Sequence, residues 1–114
     1  MKIEMTLTST DPRFQLLELE GDLDAEGAEI LEKDVKKSFG DGAYNLILDF
    51  SNCAYLSSTG LRVLFSSLNK IRQNNGRLVL TGVNENVRKL FSVADCEHLF
   101  DFQPALADFL LSLK

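Results

Sequence analysis

Residues Asn45 to Leu64, NLILDFSNCAYLSSTGLRVL, constrain the fold of this chain more than any other stretch. They begin with an apolar run, Leu46-Ile47-Leu48, that ends at Asp49. A short continuous run of this kind suits a strand buried on both faces, in a sheet covered by helices. After a polar linker, Ser57-Ser58-Thr59-Gly60 opens a pattern of helical period. Leu61, Leu64, Phe65, Leu68 and Ile71 mark one apolar stripe, with Arg62, Ser66, Asn69, Lys70 and Gln73 left outside. A strand passing directly into a helix implies an α/β unit. It also sets three hydroxyls beside backbone N–H groups that have no intrahelical partner. Such a place can hold a phosphate or cap the helix. Gly60 in the first turn costs ~1 kcal/mol relative to alanine, so its presence points to a close approach to the backbone.

The flanking segments extend the same architecture. Lys2 to Thr8 alternates, with Ile3, Met5 and Leu7 on one side, and reads as a half-buried strand. Thr10-Asp11-Pro12 has turn chemistry. Phe14 to Glu20 is a second strand in which Phe14, Leu17 and Leu19 are out of phase, and the two strands predict a hairpin. Asp24 is set to cap a helix from about Ala25 to Phe39, whose inward stripe is Ala28, Leu31, Val35 and Phe39. Gly40-Asp41-Gly42 stops it.

After the serine helix, which ends near Gln73, Arg77 to Gly82 predicts a strand. Asn84 caps a third helix, with Val87, Leu90, Phe91 and Ala94 inward. His98-Leu99-Phe100 predicts a last short strand. Pro104 falls in the first turn of a final helix carrying Leu106, Phe109, Leu110 and Leu113 inward. The expected order is β-β-α-β-α-β-α-β-α. It gives one α/β domain over residues 1–114, with a mixed sheet of about five strands and about four helices.

Composition narrows the function classes. The chain has 114 residues, enough to bury one core, and a net charge of −5. Its basic pairs, Lys36-Lys37 and Arg88-Lys89, are isolated, which disfavours nucleic-acid binding. Cys53 and Cys96 are too few and too separated for a metal-ligand pattern, and neither metal nor cofactor is expected. No apolar run approaches the ~20 residues of a spanning helix, and nothing resembles a signal peptide. The expected location is the cytoplasm.

Enzymatic chemistry finds little support. His98 is the only histidine, so any Ser-His pair must use it, and there is no G-x-S-x-G elbow. No phosphate-binding glycine motif is present. Asp49 ends a buried strand, as the phosphorylated aspartate of receiver domains does. The acidic pair that such domains carry at the end of their first strand is absent here. A carboxylate accepting backbone N–H groups in the following turn is the expected role. The chain is expected not to be an enzyme.

Asp49 to Leu61, DFSNCAYLSSTGL, resembles the signature of STAS domains, particularly the bacterial anti-sigma factor antagonists. Gly21-Asp22-Leu23-Asp24 looks like their second motif. Val87-Arg88-Lys89-Leu90-Phe91 with Leu99-Phe100 looks like their third-helix segment. The resemblance implies phosphorylation of the hydroxyl residue that falls at Ser58. It also implies partner switching, in which the unphosphorylated antagonist binds an anti-sigma factor that is a serine kinase. Phosphorylation releases that partner and a serine phosphatase resets the switch. Asp24, Ser57, Thr59, Gly60, Arg62 and Ser66 are the partner-binding residues this reading implies. Ser57 stands where those antagonists usually carry an aspartate. The alternative implied by the same family is an unphosphorylated interaction subunit of a transporter or another signalling assembly.

Overall fold

In the computed structural model, residues 1–8 and 13–113 are described, without the side chain of Leu7. The turn expected at Thr10-Asp11-Pro12 lies outside them. The elements are β1 (Lys2–Leu7), β2 (Phe14–Glu20), α1 (Ala25–Gly40), β3 (Asn45–Asn52), α2 (Ser58–Gln73), β4 (Arg77–Thr81), α3 (Glu85–Val93), the 3-10 turn η1 (Glu97–Leu99), β5 (Asp101–Gln103) and α4 (Leu106–Ser112). They form one five-stranded sheet in the order β1-β2-β3-β4-β5. The β1–β2 pair is antiparallel and every later pair is parallel. The single α/β domain with a mixed sheet and four helices is as the sequence predicts.

Alternation along each strand sorts the core into two layers. Leu17, Leu19, Leu46, Leu48, Phe50, Leu78 and Leu80 join one large cluster with residues of α1, α2 and α3. On the other face, Phe14, Leu16, Ile47 and Val79 pack with Phe109 of α4. The out-of-phase pattern of β2 follows directly, because both of its faces are covered. Leu46-Ile47-Leu48 is likewise buried on both sides, each residue fully excluded from solvent. The register sets Met5, Leu17, Leu48, Leu80 and Phe102 in one row across all five strands.

Three expectations are corrected. Residues 97–99 form η1 rather than a strand, and β5 begins only at Asp101. Phe100 has to turn inward, where its ring meets Phe91 at 5.1 Å and Phe65 at 5.4 Å. Asp101 then pairs with Arg77 of β4 at 2.7 Å. Ala94 is exposed, because α3 ends there and Asp95 takes a left-handed φ of 54°. Cys96 fills the inward place instead. Pro104 precedes α4, whose first residue is Leu106 and whose N-cap is Ala105.

Helix α2 buries Leu61, Leu64, Leu68 and Ile71 as its stripe predicts, with Phe65 half-buried. It also buries Val63 and Ser67, which the binary pattern does not mark. These border a groove against Val35 and Phe39 of α1. Ser67 fits there because its hydroxyl donates to the Val63 carbonyl at 2.7 Å.

Candidate functional site

The loops after β2 and β3 are zipped together beyond the regular sheet. Leu23 N–H donates to the Tyr55 carbonyl at 2.9 Å, and Ser57 N–H donates to the Leu23 carbonyl at 2.9 Å. This isolated parallel bridge between Leu23 and Leu56 sets the starts of α1 and α2 side by side. Asp24 caps α1, its Oδ1 accepting from Gly27 N–H at 2.8 Å. Ser57 caps α2, its Oγ accepting from Gly60 N–H at 3.0 Å. Both caps meet at the Leu23–Asp24 peptide, Asp24 as part of it and Ser57 through hydrogen bonds to the Leu23 carbonyl.

The adjacent serines therefore differ in kind. Ser57 is half-buried, and its hydroxyl also donates to the Leu23 carbonyl at 2.8 Å. That oxygen is occupied both as acceptor and as donor. A carboxylate could replace the acceptor but has no proton to give Leu23. Ser58 is the first residue of α2 and is exposed, and its hydroxyl has no partner among the described residues. The Ser58 and Thr59 N–H groups precede the first intrahelical bonds, and no acidic residue lies in the first turn of α2.

Gly60 is buried, and the close approach expected of it comes from the protein itself. A Cβ there would lie 2.8 Å from Leu56 Cδ1 and 2.9 Å from Leu23 Cδ2. The glycine lets α2 settle onto the two leucines of the bridge, and no ligand is needed to explain it.

Asp24, Ser57, Ser58, Thr59 and Gly60 are thus brought together. Arg62 follows one turn later, exposed, its guanidinium without a partner among the described residues. Ser66 lies ~12 Å along the axis from Ser58 at 1.5 Å per residue. Its hydroxyl bonds back to the Arg62 carbonyl at 3.1 Å, and it borders the α1–α2 groove. Sequence reasoning quoted Leu23 only within a motif and missed its role, in which its backbone bonds to Tyr55 and Ser57 while its side chain lies against Gly60.

Asp49 is 6% exposed and accepts from Ser51 Oγ at 2.8 Å and Thr81 Oγ1 at 2.9 Å. Side-chain hydroxyls therefore replace the expected backbone partners. His98 is exposed on η1, in a cleft with Arg88, Asp101 and Phe102 rather than beside Ser57 or Ser58. Among the described residues no group of three or more His, Cys, Asp or Glu could hold a metal. No helix among them is long and apolar enough to cross a membrane.

Cys53 lies under the zipped loops, its thiol donating to the Tyr55 carbonyl at 3.4 Å. Burial pushes this thiol up from its ordinary value, against the lowering contacts with the backbone of Tyr55 and Leu23, and nearby Asp22 adds to the rise. Burial and Asp95 raise Cys96 as well. Both thiols should stay protonated and resist iodoacetamide at about pH 8, then react once the chain is unfolded. The unfolded thiols ionise near about pH 8.5, before the folded ones. The unfolded state therefore sheds protons first, and stability should fall as pH rises above that value. Rapid labelling of Cys53 in the native protein would show instead that the loops open.

The two serines also separate in stability. Ser57→Ala loses the cap, ~1 kcal/mol, and the bond to Leu23, also ~1 kcal/mol. A loss of about 2 kcal/mol is expected in urea unfolding, against less than ~0.5 kcal/mol for the exposed Ser58→Ala. Equal losses would mean that Ser58 shares the capping.

The fold is thus an open α/β sheet whose paired helix starts expose one hydroxyl and engage its half-buried neighbour. The family model described as STAS domain matches residues 5–109, and the chain belongs to this family. The anti-sigma-B factor antagonist of Staphylococcus aureus is 27% identical over 92 residues, 81% of this chain and 85% of that protein. Among solved structures, the Thermotoga maritima protein TM1081 aligns with a TM-score of 0.87 at 18% identity, over 97% of this chain and 93% of the other. The Bacillus protein SpoIIAA aligns in both of its forms. The unphosphorylated form gives a TM-score of 0.75 at 16% identity, over 97% of this chain and 96% of the other. The phosphorylated form gives 0.76 at 15% identity, over 99% and 100%. At these identities the structural likeness is one of fold.

Proposed function

We propose that this chain is an anti-sigma factor antagonist that works by partner switching, with Ser58 as its phosphoacceptor. The observation that carries the reading is the division of labour between the two serines. A phosphate on Ser57 would destroy the α2 cap and the link to Leu23. A phosphate on Ser58 would displace no hydrogen bond of the fold. The likeness to a curated relative of this role supports the class of partner, an anti-sigma factor. The almost equal fit to SpoIIAA with and without phosphate supports a fold that tolerates the modification.

The mechanism follows from charge. Unphosphorylated, the chain offers its partner the exposed start of α2. The partner is a serine kinase and transfers phosphate to Ser58, adding about −1.5 to −2 charge. Ser58 and Thr59 N–H groups and the positive end of α2 stabilise the dianion where it stands. The neutral Ser57 cap leaves no neighbouring carboxylate in this turn to repel it. The cost falls on the interface, where the dianion meets desolvation and any partner carboxylate. A serine phosphatase restores the first state. The chain itself acts as a binding protein of the cytoplasm rather than a catalyst.

The test is to incubate the protein with ATP and the candidate kinase-type anti-sigma factors of its own genome, then map the phosphate. Phosphate on Ser58 alone is expected. Phosphate on Ser57 or Thr59, or a stable complex in which Ser58 is never modified, would overturn the reading. The latter result would favour a constitutive interaction subunit.

A further inference from the structure

Among the described residues three large apolar side chains are exposed: Tyr55 at 53%, Val93 at 77% and Leu111 at 61%. Two of these three, Tyr55 and Val93, border a single groove of about 300 Å³ between the β3–α2 loop and α3. Leu56 and Leu90 also line it, and Asn86 and Lys89 supply polar groups. Isolated exposed apolar residues are ordinary, but a cluster in a concave site marks a contact surface.

The charge around the groove is selective. The chain carries −5 overall, yet among the described residues no carboxylate lines the groove itself, and its one charged lining residue is Lys89, which stands on the ridge between it and a neighbouring cleft holding Glu85 and Glu97. Lys89 makes no ion pair among the described residues, unlike Arg88, which reaches Glu97 at 3.4 Å. Tyr55 is three residues before Ser58, on the segment held by Leu23. One wall of the groove is therefore the loop that leads directly into the exposed hydroxyl at the start of α2.

We infer that this groove seats an apolar side chain of the partner protein, with an adjacent partner carboxylate held by Lys89. The inference rests on the partner-switching reading and extends it by giving the partner's chemistry. The apolar anchor supplies contact area that excludes water, and Lys89 selects an acidic neighbour over a basic one. A phosphate on Ser58 adds negative charge at the end of the same loop, so it acts against the carboxylate that Lys89 attracts. The groove binds and the phosphoserine releases.

The experiment uses the full chain and, as probe, the purified kinase that labels Ser58 with ATP. Binding is measured by calorimetry for the wild type, Val93→Asp, Tyr55→Ser, Lys89→Glu and Ser58→Glu. The thermal midpoint and self-association of each are measured alongside. Val93→Asp and Lys89→Glu should each weaken binding at least ~10-fold, about 1.4 kcal/mol, with midpoints lowered only slightly, since both positions are exposed and each new carboxylate only opposes the α3 dipole or Glu85. Tyr55→Ser should weaken it in the same direction. Unchanged binding by the three groove variants, with release by Ser58→Glu intact, would overturn the groove while sparing the switch. Unchanged binding by Ser58→Glu, with loss in the groove variants, would support the groove and overturn the switch. Self-association of the wild type that Val93→Asp abolishes would make a second copy the occupant and overturn the inference. A chain that no such kinase labels or binds would overturn the switch and the groove together.

Discussion

Ser58→Glu is expected to weaken binding of the proposed anti-sigma partner by on the order of 100-fold, about 2.8 kcal/mol, while the domain itself becomes slightly more stable. The two effects have opposite signs for one physical reason. A carboxylate at the first residue of α2 lies at the positive end of the helix, worth ~0.3–1 kcal/mol to the fold. The same charge in a closing interface must be desolvated and faces a partner carboxylate. Ser58→Ala should bind like the wild type, because the exposed hydroxyl has no partner among the described residues to lose. Calorimetry with the partner and urea unfolding without it measure both signs. Equal tight binding by all three proteins would remove the charge switch. Weak binding by Ser58→Ala would mean that the hydroxyl itself makes a contact.

Leu23→Ala is expected to cost about 3 kcal/mol in urea unfolding, within the range for emptying a buried leucine site. Leu23 is fully buried and lies against the position where a Gly60 Cβ would project. The pair is therefore coupled. In the wild-type background Gly60→Ala gains ~1 kcal/mol of helix propensity but overpacks Leu23 and Leu56 at a cost of ~1–3 kcal/mol. A net loss of about 1 kcal/mol is expected. With Leu23→Ala in place the added methyl enters vacated space, so Gly60→Ala should become neutral or stabilising. A double-mutant cycle reads this as a coupling of about 1–2 kcal/mol. Additive effects would mean that α2 moves away from the bridge instead of pressing on it.

Most of the architecture was legible because periodicity and caps act locally. Asp24, Asn84 and the serine run marked three helix starts correctly, and Leu46-Ile47-Leu48 announced a strand covered on both faces. The misreadings fall where distant residues decide. His98-Leu99-Phe100 looks extended, yet the aromatic contacts of Phe100 with Phe65 and Phe91 draw that segment into a 3-10 turn. Asp49 finds Thr81 across the sheet, a partner 32 positions away that no local pattern contains. The serine run was legible as a helix start. Which hydroxyl is occupied depended on the Leu23 carbonyl, 34 residues upstream of Ser57. Gly60 correctly signalled a close neighbour, but the sequence could not name Leu23 and Leu56.

The strand order carries a consequence for how the protein is made. From β2 onward each new strand joins the edge left by the one before it, and a single helix separates them. The zipped loops, both caps and the whole of α2 lie between Phe14 and Gln73. During synthesis from the N-terminus, every group that shapes the start of α2 emerges from the ribosome before β4, α3 and α4 do. Ser58 can be in position while the sheet is still growing, whereas the Val93 side of the groove arrives only with α3. Newborn chains would thus acquire the proposed phosphoacceptor before they acquire the full groove.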